Sequence, residues 1–314
     1  MAKFLITGGA GFIGCNLARF FLAKGHEVVV LDDLATGKLA NIADIRKDIT
    51  FFQGDIRDRS ACDAAVRGCQ AVFHHAALGS VPRSVAEPVL SHDVNVNGTV
   101  AVLEACRAVG VKRVVFAASS SAYGDQPVSP KHEGMVPMPI SPYAASKLCC
   151  ESYMQAYAAV YGMETVCLRY FNVFGPFQDP AGAYAAVIPA FVSRVLKGES
   201  PVVFGDGEQS RDFCFIENVC WANLLAASAP AAVCNGRPMN IACNRATSLN
   251  QILAKITSLL GRQVTPIYQS PRPGDVKDSL ADIRRAKETI GYEPAVYFEE
   301  GLERAIDWYK ENLS

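Results

Sequence analysis

Tyr143 and Lys147 stand four residues apart in Tyr143-Ala144-Ala145-Ser146-Lys147, and a run of three serines, Ser119, Ser120 and Ser121, lies upstream. Residues at i and i+4 share one face of a helix, so the ammonium can sit beside the phenol. A neighbouring positive charge favours phenolate over phenol and draws a tyrosine pKa down from ~10 toward neutrality. Tyr143 is therefore a candidate base for taking a proton from a hydroxyl group. A serine hydroxyl at the end of the preceding strand can hold that same substrate hydroxyl in place. The same spacing also occurs on plain amphipathic helices, so the elements around it have to decide.

Those elements begin at the N-terminus. Lys3-Phe4-Leu5-Ile6-Thr7 reads as a short apolar strand and runs straight into Gly8-Gly9-Ala10-Gly11-Phe12-Ile13-Gly14. A helix with apolar residues at Ile13, Leu17, Phe20, Phe21 and Leu22 follows, then a strand over 27–31 that ends at Asp32-Asp33. Gly8 permits a tight turn, Gly11 lets the backbone approach a pyrophosphate, and Gly14 lets helix and strand pack closely. The helix N-terminus offers free N–H groups and the positive end of its dipole to phosphates. Asp32 is spaced to accept hydrogen bonds from an adenosine ribose, and its charge disfavours a 2′-phosphate. The pattern predicts NAD rather than NADP.

Further strand-like runs at 49–53, 71–74, 112–117 and 164–170 alternate with helical stretches such as 93–109 and 142–161. Alternating βαβ units with β-branched strands predict an α/β fold, a Rossmann-type doubly wound parallel sheet with both faces covered. Ligands in such sheets bind beyond the C-terminal strand ends. There the sequence places Gly8 to Gly14, Asp32, Asp55, His75-Ala76-Ala77, Ser119 and Phe171-Asn172. After residue 171 helices shorten, Pro and Gly become denser, and strands such as 202–204 look isolated. The expected division is a dinucleotide domain over 1–171 and a smaller, partly interleaved α/β substrate domain over 172–314. A segment near 211–229 is expected to return to the first domain.

Composition narrows the classes. The 314 residues are half apolar and 19% charged, with a formal net charge of −1. That balance leaves no electrostatic footprint for nucleic acid or an anionic membrane, and any acidic ligand needs local arginines. Eleven cysteines include no C-x-x-C pair, and adjacent Cys149 and Cys150 suit neither a disulfide staple nor a zinc site. Most sit among apolar neighbours, as free thiols do in a reducing compartment. No apolar run approaches membrane-spanning length, and the glycine loop interrupts any leader-like core. The expectation is a cytoplasmic enzyme without a metal.

With the glycine loop, Asp32, Ser119 and the Tyr143/Lys147 pair in hand, the chain resembles the extended short-chain dehydrogenase/reductase family, and within it the UDP-hexose 4-epimerases. The resemblance covers essentially the whole chain and includes Asn97-Gly98-Thr99, Leu168-Arg169-Tyr170-Phe171-Asn172, Gly205-Asp206-Gly207 with Arg211-Asp212, and Arg272-Pro273-Gly274-Asp275. It is most similar to the UDP-N-acetylglucosamine 4-epimerase group through Ala77-Leu78-Gly79-Ser80-Val81-Pro82-Arg83-Ser84 and Gly182-Ala183-Tyr184-Ala185-Ala186-Val187-Ile188-Pro189.

The resemblance implies roles. Ser119, four residues before Tyr123-Gly124, becomes the catalytic serine. Tyr143 becomes the base, and Lys147 its partner and a ligand of the nicotinamide ribose. Asp55-Ile56 would flank the adenine; His75, Ala76, Ala77 and Asn97 would line the dinucleotide path, with Phe12, Ile13 and Asp33 beside the phosphates and ribose. Asn172, Val187, Arg211, Arg272 and Asp275 match positions that hold UDP, where guanidinium forks suit phosphate oxygens. Ser279, Ala186 and Gly79 are small residues at positions that set the width of the hexose pocket, leaving room for a 2-N-acetyl group. Ser120 and Ser121, either sugar contacts or a plain turn, occupy positions where 4,6-dehydratases carry an acid pair; related decarboxylases usually place a glutamate at Ser121. Arg83 could meet a C6 carboxylate or serve the surface.

The implied chemistry is removal of the 4-hydroxyl proton by Tyr143 with hydride passing from C4 to NAD⁺. The 4-keto sugar then turns over, and both are returned on the opposite face. UDP-glucose and UDP-uronates are the alternative substrates, and a silent NAD-binding sensor or scaffold the alternative class. A substitution at Tyr143, Lys147 or Ser119 would have marked the silent class. Relatives commonly form homodimers through a four-helix bundle of the 93–109 and Tyr143-bearing helices. Met154, Tyr157, Ala158 and Tyr161 have the helical spacing for that face and equally for the core.

Overall fold

A computed structural model describes residues 1–179, 186–270 and 278–313. Arg272, Asp275 and the stretch Gly182 to Ala185 lie outside the described residues. Seven parallel strands form the central sheet: β1 Lys3–Thr7, β2 Glu27–Asp32, β3 Ile49–Gln53, β4 Ala71–His74, β5 Arg113–Ser119, β6 Glu164–Tyr170 and β7 Asn235–Ile241. Their spatial order is β3-β2-β1-β4-β5-β6-β7. The chain thus reverses its direction of winding between β1 and β4, which opens a crevice at their C-terminal ends.

Period-two side-chain alternation divides the interior into two cores, one on each face. Phe4 and Ile6, Val28 and Val30, Val115 and Ala117, and Val166 and Leu168 enter one. Leu5, Val29, Leu31, Val114, Phe116 and Cys167 enter the other. The first face is covered by α1 Phe12–Ala23 and, from the later half of the chain, Ile216–Ser228. The second is covered by α2 Arg59–Val66, α3 Gly98–Val109 and α4 Pro142–Tyr161. From the later half of the chain, three short strands, Ala246–Ser248, Ser210–Asp212 and Asp278–Ser279, make a separate small sheet in that order. Val202–Phe204 is paired, in parallel with Ile267–Gln269, rather than isolated. All eleven cysteines are free. No helix among the described residues is long and apolar enough to cross a membrane.

One expectation needs correction, and one open alternative is decided. The helix expected over 93–109 opens with a π turn, Asp93–Asn97, before the α-helical turns begin. Of the α4 residues open to either face, Met154 and Tyr157 are core, both buried in the second core, and the large exposed apolar side chains of α4 are Tyr153, Val160 and Tyr161.

Inside, one ion pair ties α4 to β6. Arg169 donates from Nε and Nη2 to Glu151 at 2.8 and 2.6 Å, and both side chains are 2% exposed. The Arg169 guanidinium also lies 4.7 Å over the Tyr123 ring. Removing one partner of a buried pair strands the other charge, at a cost of ~3–5 kcal/mol. Arg169→Leu should therefore lower unfolding free energy by about that amount in urea titration, and Glu151→Leu in the same background should recover part of the loss. A single variant as stable as the parent would mean the pair is solvated in solution.

Candidate active site

A cleft of about 1160 Å³ runs along the C-terminal ends of the strands. Its floor is the β1–α1 turn. Gly8 has φ +72°, and a Cβ there would meet the Ala76 backbone at 2.7 Å. A Cβ on Gly14 would stand 2.2 Å from the Gly8 carbonyl oxygen, so only glycine lets the helix start this close to the strand. Gly11 caps α1 with no side-chain oxygen, leaving the first-turn amides for an anion. Gly11, Phe12 and Ile13 all line the cleft.

At the end of β2, Asp32 is 6% exposed, and its carboxylate accepts from the amides of Ala10 (2.9 Å) and Leu34 (2.8 Å). Burial raises its pKa, and those amides draw it back. Asp33 and Ile56 line the same end of the cleft. Asp55 does not: its carboxylate is held by Arg57, with Nη2 to Oδ2 at 2.5 Å. From β4, His75, Ala76 and Ala77 line the middle. His75 stacks on Tyr170, its Nε2 3.1 Å from the phenol oxygen. Burial pushes its pKa down to about 4, so the ring is neutral. Its Nδ1 is buried with no hydrogen-bond partner among the described residues. Asn97 is outside the cleft, exposed and donating to Asp93 at 2.8 Å, because the π turn rotates the chain there. Asn95 is the asparagine that turns inward.

Ser119, Tyr143 and Lys147 come together at the wall. Ser119 ends β5, and its hydroxyl lies 2.8 Å from that of Ser121. Tyr143 is the second residue of α4, after a Ser141 cap and Pro142. Lys147 shares its face and lines the same cleft. It donates to the Ala117 carbonyl at 2.8 Å and sits over the Phe116 ring. Its burial lowers the amine to about 8. The Tyr143 pKa is raised, chiefly by burial, while its hydrogen bond with Ser119 pulls it back. Ser119 is thus one side chain that favours phenolate in this geometry. Ser120 and Ser121 sit on the 3₁₀ turn behind it, off the cleft lining.

At the other end, Gly79, Asn172 and Ala186 line the cleft, whereas Val187 begins the next helix just outside it. Asn172 adopts φ +26° and donates from Nδ2 to the Asp212 carbonyl at 3.1 Å. That bond ties the cleft to the strand carrying Arg211, whose parallel register partner is Ser279. Neither Arg211 nor Ser279 lines the cleft directly. Asp212, quoted within a motif but given no role, turns out to be a cross-brace. Fully buried, it accepts from the amides of Cys243 (2.8 Å) and Ala281 (3.2 Å), and burial raises it to about 6.

The NAD dependent epimerase/dehydratase family profile matches residues 4–242. The chain belongs to that family. A UDP-glucose 4-epimerase of Mycolicibacterium smegmatis is 37% identical over 310 residues, 98% of each chain. Among solved structures, a UDP-glucose 4-epimerase of Thermotoga maritima with UDP-glucose is 37% identical, with a TM-score of 0.92 over 99% of this chain and 100% of that one. A UDP-N-acetylglucosamine 4-epimerase of Methanobrevibacter ruminantium, in complex with UDP-N-acetylmuramic acid, is 38% identical, with a TM-score of 0.93 over 99% and 98%. The glycine cradle and the buried Asp32 carboxylate fit the family's cofactor, NAD.

The Ser119 contact generates a pH prediction. A base works in its deprotonated form, and the Ser119 hydrogen bond lowers the Tyr143 pKa. Ser119→Ala should therefore move the acid limb of the kcat/KM profile to higher pH, beyond any loss in rate. An acid limb in the same place would remove Ser119 from the control of Tyr143.

Proposed function

We propose that this chain interconverts UDP-N-acetylglucosamine and UDP-N-acetylgalactosamine. The reaction class is NAD-dependent 4-epimerisation of a UDP-sugar. NAD, when bound, supplies the hydride acceptor and donor for C4. Tyr143 takes the 4-hydroxyl proton and returns it on the opposite face, and Ser119 holds that oxygen and eases ionisation of the phenol. Lys147, fixed on Ala117, keeps a positive charge beside the reaction in low-dielectric surroundings. Asn172 and Arg211 belong to the UDP end in this reading, with Val187, and Arg272 and Asp275 join them from outside the described residues.

The observation that carries the choice of sugar is the empty space beside Gly79. It lines the cleft, and a Cβ there would meet nothing within 4 Å. Ala186 is the second small cleft residue, and Ser279 stands half-buried beside Arg211. Support also comes from the similarity to the M. ruminantium enzyme, which is named for an N-acetylated sugar. Incubation with UDP-glucose, UDP-N-acetylglucosamine, UDP-glucuronate and UDP-N-acetylglucosaminuronate, read by NMR for the 4-epimers, tests the proposal. Turnover confined to the unacetylated sugars or to the uronates would replace it. The exposed Tyr153, Val160 and Tyr161 of α4 suit the homodimer that the family resemblance implies.

Ser279→Tyr should crowd a 2-N-acetyl group. Overpacking at ~1–3 kcal/mol corresponds to a loss of roughly one to two decades in kcat/KM on acetylated sugars, with UDP-glucose spared. Equal losses on both classes, or none, would show that Ser279 does not govern pocket width.

A further inference from the structure

The backbone of Tyr143 is held on both sides. As the second residue of α4, its N–H has no partner within the helix. It donates instead to Ser84 Oγ at 3.0 Å, while the Ser141 cap takes the Ala144 amide. Ser84 is fully buried, and its hydroxyl donates to the Val81 carbonyl at 2.6 Å. The Tyr143 carbonyl accepts from Ser146 Oγ at 2.8 Å. Ser146 in turn accepts from Asn95 Nδ2 at 2.9 Å. The same Asn95 amide grips both main-chain groups of Leu78: Oδ1 accepts from its N–H at 2.8 Å, and Nδ2 reaches its carbonyl at 3.3 Å. Asn95 is 2% exposed and sits in the π turn that swings it inward.

The two grips meet on one segment. Leu78 and Ser84 bracket the loop and short helix whose Gly79, Ser80 and Arg83 line the cleft. Asn95, through Ser146, ties the start of this segment to the Tyr143 carbonyl; Ser84 ties its end to the Tyr143 amide. A buried asparagine or serine needs only some partner. Here Ser84 reaches the Tyr143 N–H directly from another element, and Asn95 reaches its C=O through Ser146 of α4 itself.

We infer that Ser84 and Asn95 are positioning residues that lock the catalytic tyrosine and the sugar-side segment 78–84 into one rigid unit. Neither touches the reacting atoms. They fix the phenol oxygen relative to the wall against which the hexose turns, so that the one base can serve both faces of C4. Supporting contacts of this kind matter because a displacement of about 1 Å at the reacting centre costs on the order of 10²-fold in rate.

The inference rests on Tyr143 as the base. Ser84→Ala, Asn95→Ala and the double variant are compared with the parent and with Tyr143→Phe, using the full chain as purified. NAD released on denaturation counts intact sites, UDP affinity is read by calorimetry, and kcat is expressed per NAD-loaded site. The expected result is a kcat lower by about 10- to 100-fold in each single variant, with UDP affinity and NAD content kept. The double variant should lose less than the product of the singles, because both act through the same peptide unit. A kcat per loaded site within about threefold of the parent, or a loss confined to KM and UDP affinity, overturns the clamp. If Asn95→Ala fails to fold, Ser84→Ala, which deletes one hydroxyl, decides by the same criteria. Near-normal turnover in Tyr143→Phe overturns the base assignment, and the clamp with it. An inactive Tyr143→Phe beside near-normal Ser84→Ala and Asn95→Ala overturns the clamp alone.

Discussion

The hydrogen bond from the Lys147 ammonium to the Ala117 carbonyl fixes the helix that carries the chemistry onto the sheet that carries everything else. It belongs to a polar stripe at Tyr143, Lys147 and Glu151, successive i+4 positions on one face of α4. Lys147 is bound by β5, and Glu151 by Arg169 of β6. Arg169 is the cross-strand partner of Ala118, one residue before Ser119. Two buried charged contacts therefore register α4 along the strands, and the third member of the stripe, Tyr143, falls at the strand ends beside Ser119. Charges in low dielectric tolerate little misplacement, because an unpaired one is costly. The register of the active site inherits that intolerance.

Much of this was legible in the sequence, and the misses share a cause. Strands β1 to β6 announce themselves by β-branched, period-two runs, and the β1–α1 turn by glycines whose missing Cβ atoms the structure needs. β7 gave no such signal. It contains Gly236 and Pro238, its register slips between Asn235 and Pro238, and it lies at the sheet edge where proline is tolerated. The resemblance places Asn97 on the dinucleotide path through its motif Asn97-Gly98-Thr99, whereas a single π turn leaves Asn97 exposed and buries Asn95. The direction of Lys147 was equally hidden: spacing says which residues share a face, while the carbonyl that captures a side chain comes from a distant strand. Met154 and Tyr157 illustrate the same limit, since helical periodicity cannot separate a core face from an outer one.

The electrostatics of the cleft separate its two ends. On the dinucleotide side, His74 and His75 are buried and held neutral, His74 down to about 3, and the carboxylate of Asp32 is the fixed charge. Neutral imidazoles suit a wall beside a bound cofactor, because they supply hydrogen bonds without a charge that titrates near neutrality. His74 shows the structural use of this. Its two ring nitrogens contact Thr7 at 2.7 Å and Thr99 at 2.9 Å, linking the end of β1 to α3.

An epimerase that keeps its nucleotide anchored while the hexose reverses its face needs unequal stiffness along one cleft. The construction supplies it. At the proposed UDP end, Asp212 gathers three chain segments through its buried carboxylate and carbonyl, so the short strand bearing Arg211 is braced from both sides. In the proposed reading the hexose lies by Gly79 and Ala186, small lining residues that offer little surface to grip. Tyr143 lines the same cleft, its backbone N–H tied to Ser84 of the Gly79 segment and its ionisation eased by Ser119. In the proposed reading a sugar rotates against that braced wall, and a base held within it meets either face.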